Sequence, residues 1–183
     1  MSDCIIDNGY DFGCNTIGGV EEVYIGTFDG AVTYTLDADN IITALDANPN
    51  SVSVYKFEQD IEFAGLEQTF QGSRDNGSVH YETVVSTKFI DLDASLRNLI
   101  LKLGKAPVFI VVKSNAGLYY LCGLESPGRA SEGMASLGVA QGDMNGATLS
   151  FLFKSANGAY LMDETVLNTG VADPAKITVN PTT

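Results

Sequence analysis

In "TFQGSRDNGSVHYETVVSTKFI", residues 69–90, the chain alternates: Val79, Tyr81, Thr83, Val85, Thr87 and Phe89 share one side. His80, Glu82, Ser86 and Lys88 share the other, with Val84 the exception. A period of two held this long describes a strand with one packed and one wet face, not a helix of period 3.6. Just before it stands Asn76-Gly77, a pair that accepts the positive φ values of a tight turn. The stretch predicts a long antiparallel hairpin whose polar tip is Gly72, Ser73, Arg74, Asp75, Asn76, Gly77 and Ser78. Such an arm reaches past a small core, and its tip wants solvent or a neighbour.

The same period recurs. "VEEVYIGTF" and "AVTYTL" read as strands, and Asp29-Gly30 between them predicts that they form a hairpin. Residues 37–51 are rich in Asp and Asn and read as a loop with a brief strand, followed by strand-like stretches over 51–58 and 61–70. "PVFIVVK" and "GLYYLCG", joined by "SNAG", have the apolar runs of buried strands. "MASLGVAQ" and "ATLSFLFK" flank "GDMNG", with Leu149, Phe151 and Phe153 expected inward. The period changes in "DLDASLRNLILKLGK", where Leu92, Leu96, Leu99 and Leu103 recur at helical spacing between Asp91 and Asp93 at one end and Lys102, Gly104 and Lys105 at the other.

The expected fold is therefore mainly β, a sandwich or barrel of antiparallel strands with a long hairpin and one helix on its flank. At 183 residues the chain suits one core burying about 70% of its unfolded surface. Residues 1–19 read as an N-terminal arm, 20–167 as one β domain and 168–183 as an extended tail.

The balance of 10 Lys plus Arg against 23 Asp plus Glu gives a net charge of −13, which repels phosphates and argues against ordinary nucleic-acid binding. Cys4, Cys14 and Cys122 form no C-x-x-C pair, so neither a disulfide framework nor a zinc site is expected, and a reducing compartment fits. The start "MSDCIIDNGY" has no basic region before an apolar run, and no stretch of about 18 apolar residues follows anywhere. A soluble chain without a membrane partner is expected.

The nucleophile-elbow, P-loop, zinc-protease and dinucleotide patterns do not occur in the sequence. His80 is the sole histidine and falls on the polar side of the hairpin, where a solvated or interface role is the expectation. Carboxylates are plentiful enough for a glycosidase pair, but there is no Trp, and Tyr119 and Tyr120 are the main candidates for a sugar platform. "GDMNG" admits three readings: Asp143 and Asn145 as calcium ligands, Asp143 as a catalytic carboxylate, or Asn145-Gly146 as a turn with Asp143 bonding the local backbone. A calcium loop needs further oxygen ligands and a spaced bidentate Glu, which neither this stretch nor "DADN" at 37–40 supplies. The turn needs only what is present, so no catalytic residue, cofactor or metal is expected.

The order of these features resembles a known family. "CNTIGGVEEVYIG", the long hairpin, the Leu-rich helix, "APVFIVVKSNAGLYYLCGLESPG" and "GVAQGDMNGATLSFLF" are together similar to the tail tube (major tail) proteins of phages and prophages of Bacteroidetes-type bacteria, over about residues 14–155. The resemblance implies a non-enzymatic subunit forming homo-hexameric rings that stack into a tube. DNA passes through without specific binding. It also implies other tail proteins as partners (sheath or terminator, baseplate or initiator) and a place in the virion tail, assembled in the cytoplasm of the bacterial host. Under it, residues 72–78 become the ring-to-ring contact, and Glu58, Glu62, Glu67 and Glu82 become candidate lumen acids that keep DNA sliding. Lys88 and His80 share a face with Glu82 and weigh against that placement. The rival readings are another ring-forming tail or neck component, a soluble β-sandwich module that binds carbohydrate, and a hydrolase.

Overall fold

The structure is a computed structural model and describes residues 17–30, 32–45, 52–60, 62–73, 75, 77–140, 142–168 and 176–180. Residues 1–16 of the expected arm, and Arg74 and Asn76 of the expected tip, lie outside these. Six strands precede the helix: β1 (Val20–Thr27), β2 (Tyr34–Leu36), β3 (Ile42–Leu45), β4 (Ser53–Glu58), β5 (Gly65–Ser73) and β6 (Ser78–Ile90). After α1 (Ala94–Leu103) come β7 (Val108–Ser114), β8 (Tyr119–Cys122), β9 (Arg129–Ser136), β10 (Gly146–Ser155), β11 (Tyr160–Met162), β12 (Leu167–Asn168) and β13 (Ile177–Asn180). Among the described residues the protein is mainly β with one α-helix, as the alternation predicts.

Two sheets divide the strands. A curled nine-stranded sheet runs β12-β13-β4-β1-β7-β8-β11-β3-β2, and a four-stranded sheet runs β5-β6-β10-β9. Strand β7 shows why its sequence is apolar throughout. Val108, Ile110 and Val112 point into the core between the sheets, while Phe109 and Val111 point into the core of the curled sheet. A strand buried on both faces needs no alternation.

In the four-stranded sheet the alternation decides the layers. Thr83, Val85, Thr87 and Phe89 of β6 sit beside Leu149, Phe151 and Phe153 of β10, facing Val23, Ile25 and Ile110 of the other sheet. Each fully buried Val, Ile, Leu or Phe contributes roughly 1.5–3 kcal/mol, so this shared layer holds the sheets together. Helix α1 closes one end of it through Leu96, Leu99, Ile100 and Leu103. Asp93 caps the helix by accepting from the Leu96 N–H at 2.6 Å, and Gly104 ends it in right-handed geometry at φ −66°.

Three local expectations are corrected. Asp29-Gly30 does not join β1 to the next strand: β1 lies between β4 and β7, and β2 pairs with β3 at the far edge. The cause is tertiary, because Val23 and Ile25 bury one face of β1 and Tyr24 the other, which a central position provides and a three-residue partner does not. Strand β5 begins only at Gly65, after Glu62 turns the chain at φ 65°. Finally, Asn145-Gly146 is not the turn between β9 and β10. Gly146 already opens β10, where a Cβ would lie 2.1 Å from the Phe89 carbonyl oxygen, and the positive φ, 71°, belongs to Gly138. Within the stretch read as an extended tail, Ile177–Asn180 form β13 beside β4, with Ile177 fully buried.

Candidate assembly surfaces

The hairpin of β5 and β6 pairs residue by residue from Gly65 opposite Ser86 to Ser73 opposite Ser78. The described tip residues, Gly72, Ser73, Asp75, Gly77 and Ser78, are exposed or half-buried, and Gly77 supplies the positive φ of 62°. Strand β10 accompanies β6 only as far as Tyr81 opposite Ser155. Beyond that point the hairpin stands clear of the sheet.

The four candidate lumen acids separate into two groups. Glu67 and Glu82 share the outer face of the four-stranded sheet, whereas Glu58 ends β4 in the other sheet and Glu62 lies in the connector between β4 and β5. The register adds residues that the sequence reading passed over: Glu132 and Arg129 on β9 face the same way, opposite Ser150 and Leu152. Among the described residues, that outer face carries Glu67, Glu82 and Glu132 against Lys88, Arg129 and Lys154. It is polar and close to charge-balanced. The chain's net charge of −13 therefore resides mainly elsewhere.

Glu82 is the hub of this face, with Lys154 Nζ at 2.5 Å and His80 Nε2 at 3.5 Å. His80 is thus held on a polar outer surface. A second cluster lies on β1, where Glu22 accepts from Lys56 at 2.6 Å and from the Tyr24 hydroxyl. Burial raises the Glu22 pKa, but the hydrogen bonds from Lys56 and Tyr24 outweigh it and leave the carboxyl below its ordinary value. Burial, then the bond to Glu22, pushes the Tyr24 phenol up. Both clusters are ion-paired or hydrogen-bonded and fix strand positions.

Asp143 accepts at 2.8 Å from both Val139 and Ala140 N–H, and these backbone bonds, Ala140 first, lower its pKa. It is a loop brace, as the backbone-bonding reading of "GDMNG" supposed. Tyr119 is 7% exposed and belongs to the core of the curled sheet, and Tyr120 is half-buried against the core between the sheets. Among the described residues no group of three or more His, Cys, Asp or Glu is placed to hold a metal ion, and no helix is long and apolar enough to cross a membrane.

The edges of the four-stranded sheet are its most consequential surface. β5 and β9 are its outermost strands, nine and eight residues long, and mostly exposed. Among the described residues, each presents a row of backbone groups without a strand partner, a state that soluble proteins usually cover, shorten or charge. The sequence reading began this strand only at Met134, in "MASLGVAQ", whereas β9 runs Arg129–Ser136, because "RASEG" is small and polar and lies within a Gly, Pro and Ser stretch. The sequence matches no protein-family model and no curated protein sequence.

Proposed function

We propose that this chain is the structural subunit of a phage tail tube, with six copies closing into a ring and rings stacking into a hollow conduit for DNA. The number of copies, the tail partners and the place in the virion come from the family resemblance. One observation supports the reading: two long edges on one sheet that no strand among the described residues pairs, oriented to meet. All three pairings in the order β5-β6-β10-β9 are antiparallel, so β5 and β9 run oppositely. Placing β5 of one copy beside β9 of the next continues the antiparallel alternation and keeps the same face turned the same way. Such a heterologous contact can close into a ring, with the polar outer face lining the hole.

That face suits a conduit. Its charges are near balance, so it offers phosphates no net cationic surface and no large gain from counterion release. No step of chemistry is needed for this role, and the chain acts as an architectural element.

Amide hydrogen exchange on dilute and assembled protein tests the edge pairing. Outward amides of β5 and β9 should exchange fast when dilute and become protected on assembly. Assembled particles in which both edges still exchange fast would contradict it.

A further inference from the structure

The far end of the hairpin carries an apolar strip that nothing among the described residues covers. Phe70 and Tyr81 pack edge to face with ring centroids 5.5 Å apart, and Phe70 is 60% and Val79 57% exposed. These residues continue the face that Thr83 and Val85 bury further along β6. Gly72 keeps the strip open, since a Cβ there would lie 3.1 Å from the Phe70 ring. Exposed apolar side chains grouped on a projecting arm mark a contact with another molecule.

At the other end of β6 lies a groove of about 590 Å³, lined among others by Glu58, Asp60, Phe63, Ile90, Asp91 and Leu96. Ile90 is 60% exposed there, and the Gln59 side-chain nitrogen in its wall is buried without a hydrogen-bond partner. Twelve strand steps separate Ser78 from Ile90, roughly 40 Å at the usual rise. Arm and groove therefore sit at opposite poles, and one chain cannot bring its own two ends together.

Charge narrows the occupant. The groove has Glu58, Asp60, Asp91 and Asp93 against Lys88, whose ammonium lies 4.4 Å from the Phe63 ring centre. In a chain of net charge −13, residues 68–81 contain only Arg74 and Asp75 and are formally neutral. A neutral arm with an apolar strip approaches an acidic groove with an apolar floor at far less electrostatic cost than two average surfaces of this chain would.

We propose that the groove receives the hairpin end of a second copy of this chain, with Phe70, Val79 and Tyr81 seated over Phe63, Ile90 and Leu96. The contact deepens the tube reading and rests on it for the repetition of copies along one axis. Because the two surfaces differ and lie at opposite poles, each copy has one arm to give and one groove to fill. The contact propagates in a line instead of stopping at a pair.

A paired-cysteine variant tests it. Val79→Cys and Ile90→Cys are combined in a chain with Cys4→Ser and Cys14→Ser, oxidised, and resolved without reductant, while microscopy of the same sample records rings and tubes. The expected result is a ladder of dimers, trimers and longer linked chains, with each single variant alone staying monomeric and a mixture of the two single variants stopping at dimers. No ladder overturns the contact; if tubes are nonetheless present, the tube reading survives without it. A ladder without tubes keeps the contact and removes the tube. Val79→Asp lies beyond the body of the fold and should leave the thermal midpoint unchanged while reducing tubes to single rings. Tubes of ordinary length from that variant would overturn the proposal.

Discussion

Glu82 on β6 and Lys154 on β10 stand opposite each other across the outer face of the four-stranded sheet, Nζ 2.5 Å from the carboxylate, with His80 Nε2 3.5 Å from the same oxygen. The hydrogen bond from Lys154 leads in holding the Glu82 carboxyl below its ordinary range, and His80 adds to it. A carboxyl whose folded pKa is lowered contributes stability above its unfolded value of about 4.3, and that contribution is lost as pH falls through the folded value. Lys154→Met should therefore move the Glu82 midpoint up toward an ordinary carboxylate. A carbon-13 NMR titration that leaves the midpoint in place would show that Lys154 is not the cause.

Gly146 and Gly142 make a matched pair. A Cβ at Gly146 meets the Phe89 carbonyl oxygen at 2.1 Å, whereas one at Gly142 meets nothing within 4 Å. Gly146→Ala should cost about 1–3 kcal/mol, the range for overpacking a closed site. Gly142→Ala should stay within about 0.5 kcal/mol. Equal effects of the two in denaturant unfolding would contradict the close approach of β10 to β6.

Ile177 is fully buried in the core of the curled sheet, on β13 beside β4. Ile177→Ala should cost about 2–5 kcal/mol of unfolding free energy. A near-neutral result would detach β13 from the fold.

Cys122 is buried at 2% exposure, and burial pushes its thiol up to about 12. It should resist alkylation in the native protein at pH 8 and react once the protein is unfolded. A folded pKa above the unfolded one makes the neutral thiol the stabilising form. Its contribution is complete below about pH 8.5 and lost as pH rises toward 12. Rapid native labelling at pH 8 would contradict the burial.

What the sequence made legible follows from how each signal is encoded. The packed and wet faces of β6 from Thr83 to Phe89, the inward Leu149, Phe151 and Phe153, and the helix over Ala94–Leu103 are written in local periods and sit as the periods say, whereas Val79 on the expected packed side is exposed and Leu92 precedes the helix. Which strand neighbours which is decided by burial across the whole chain, so Asp29-Gly30 suggested a hairpin while β1 took β4 and β7 instead. Gly146 carried the signature of a turn but serves the close packing of two strands. The assembly surfaces were half visible. The hairpin tip announces itself through Asn76-Gly77, but the open edge of β9, the balance of Arg129 and Glu132 against β6, and the groove beside Ile90 exist only once register and topology bring distant residues together.

Electron microscopy of the purified chain over a concentration series tests the central claim most directly. The account predicts regular rings with a central hole that stack into tubes as concentration rises. Dispersed monomers at every concentration and salt would contradict it and move the weight to a monomeric β-sandwich binding module.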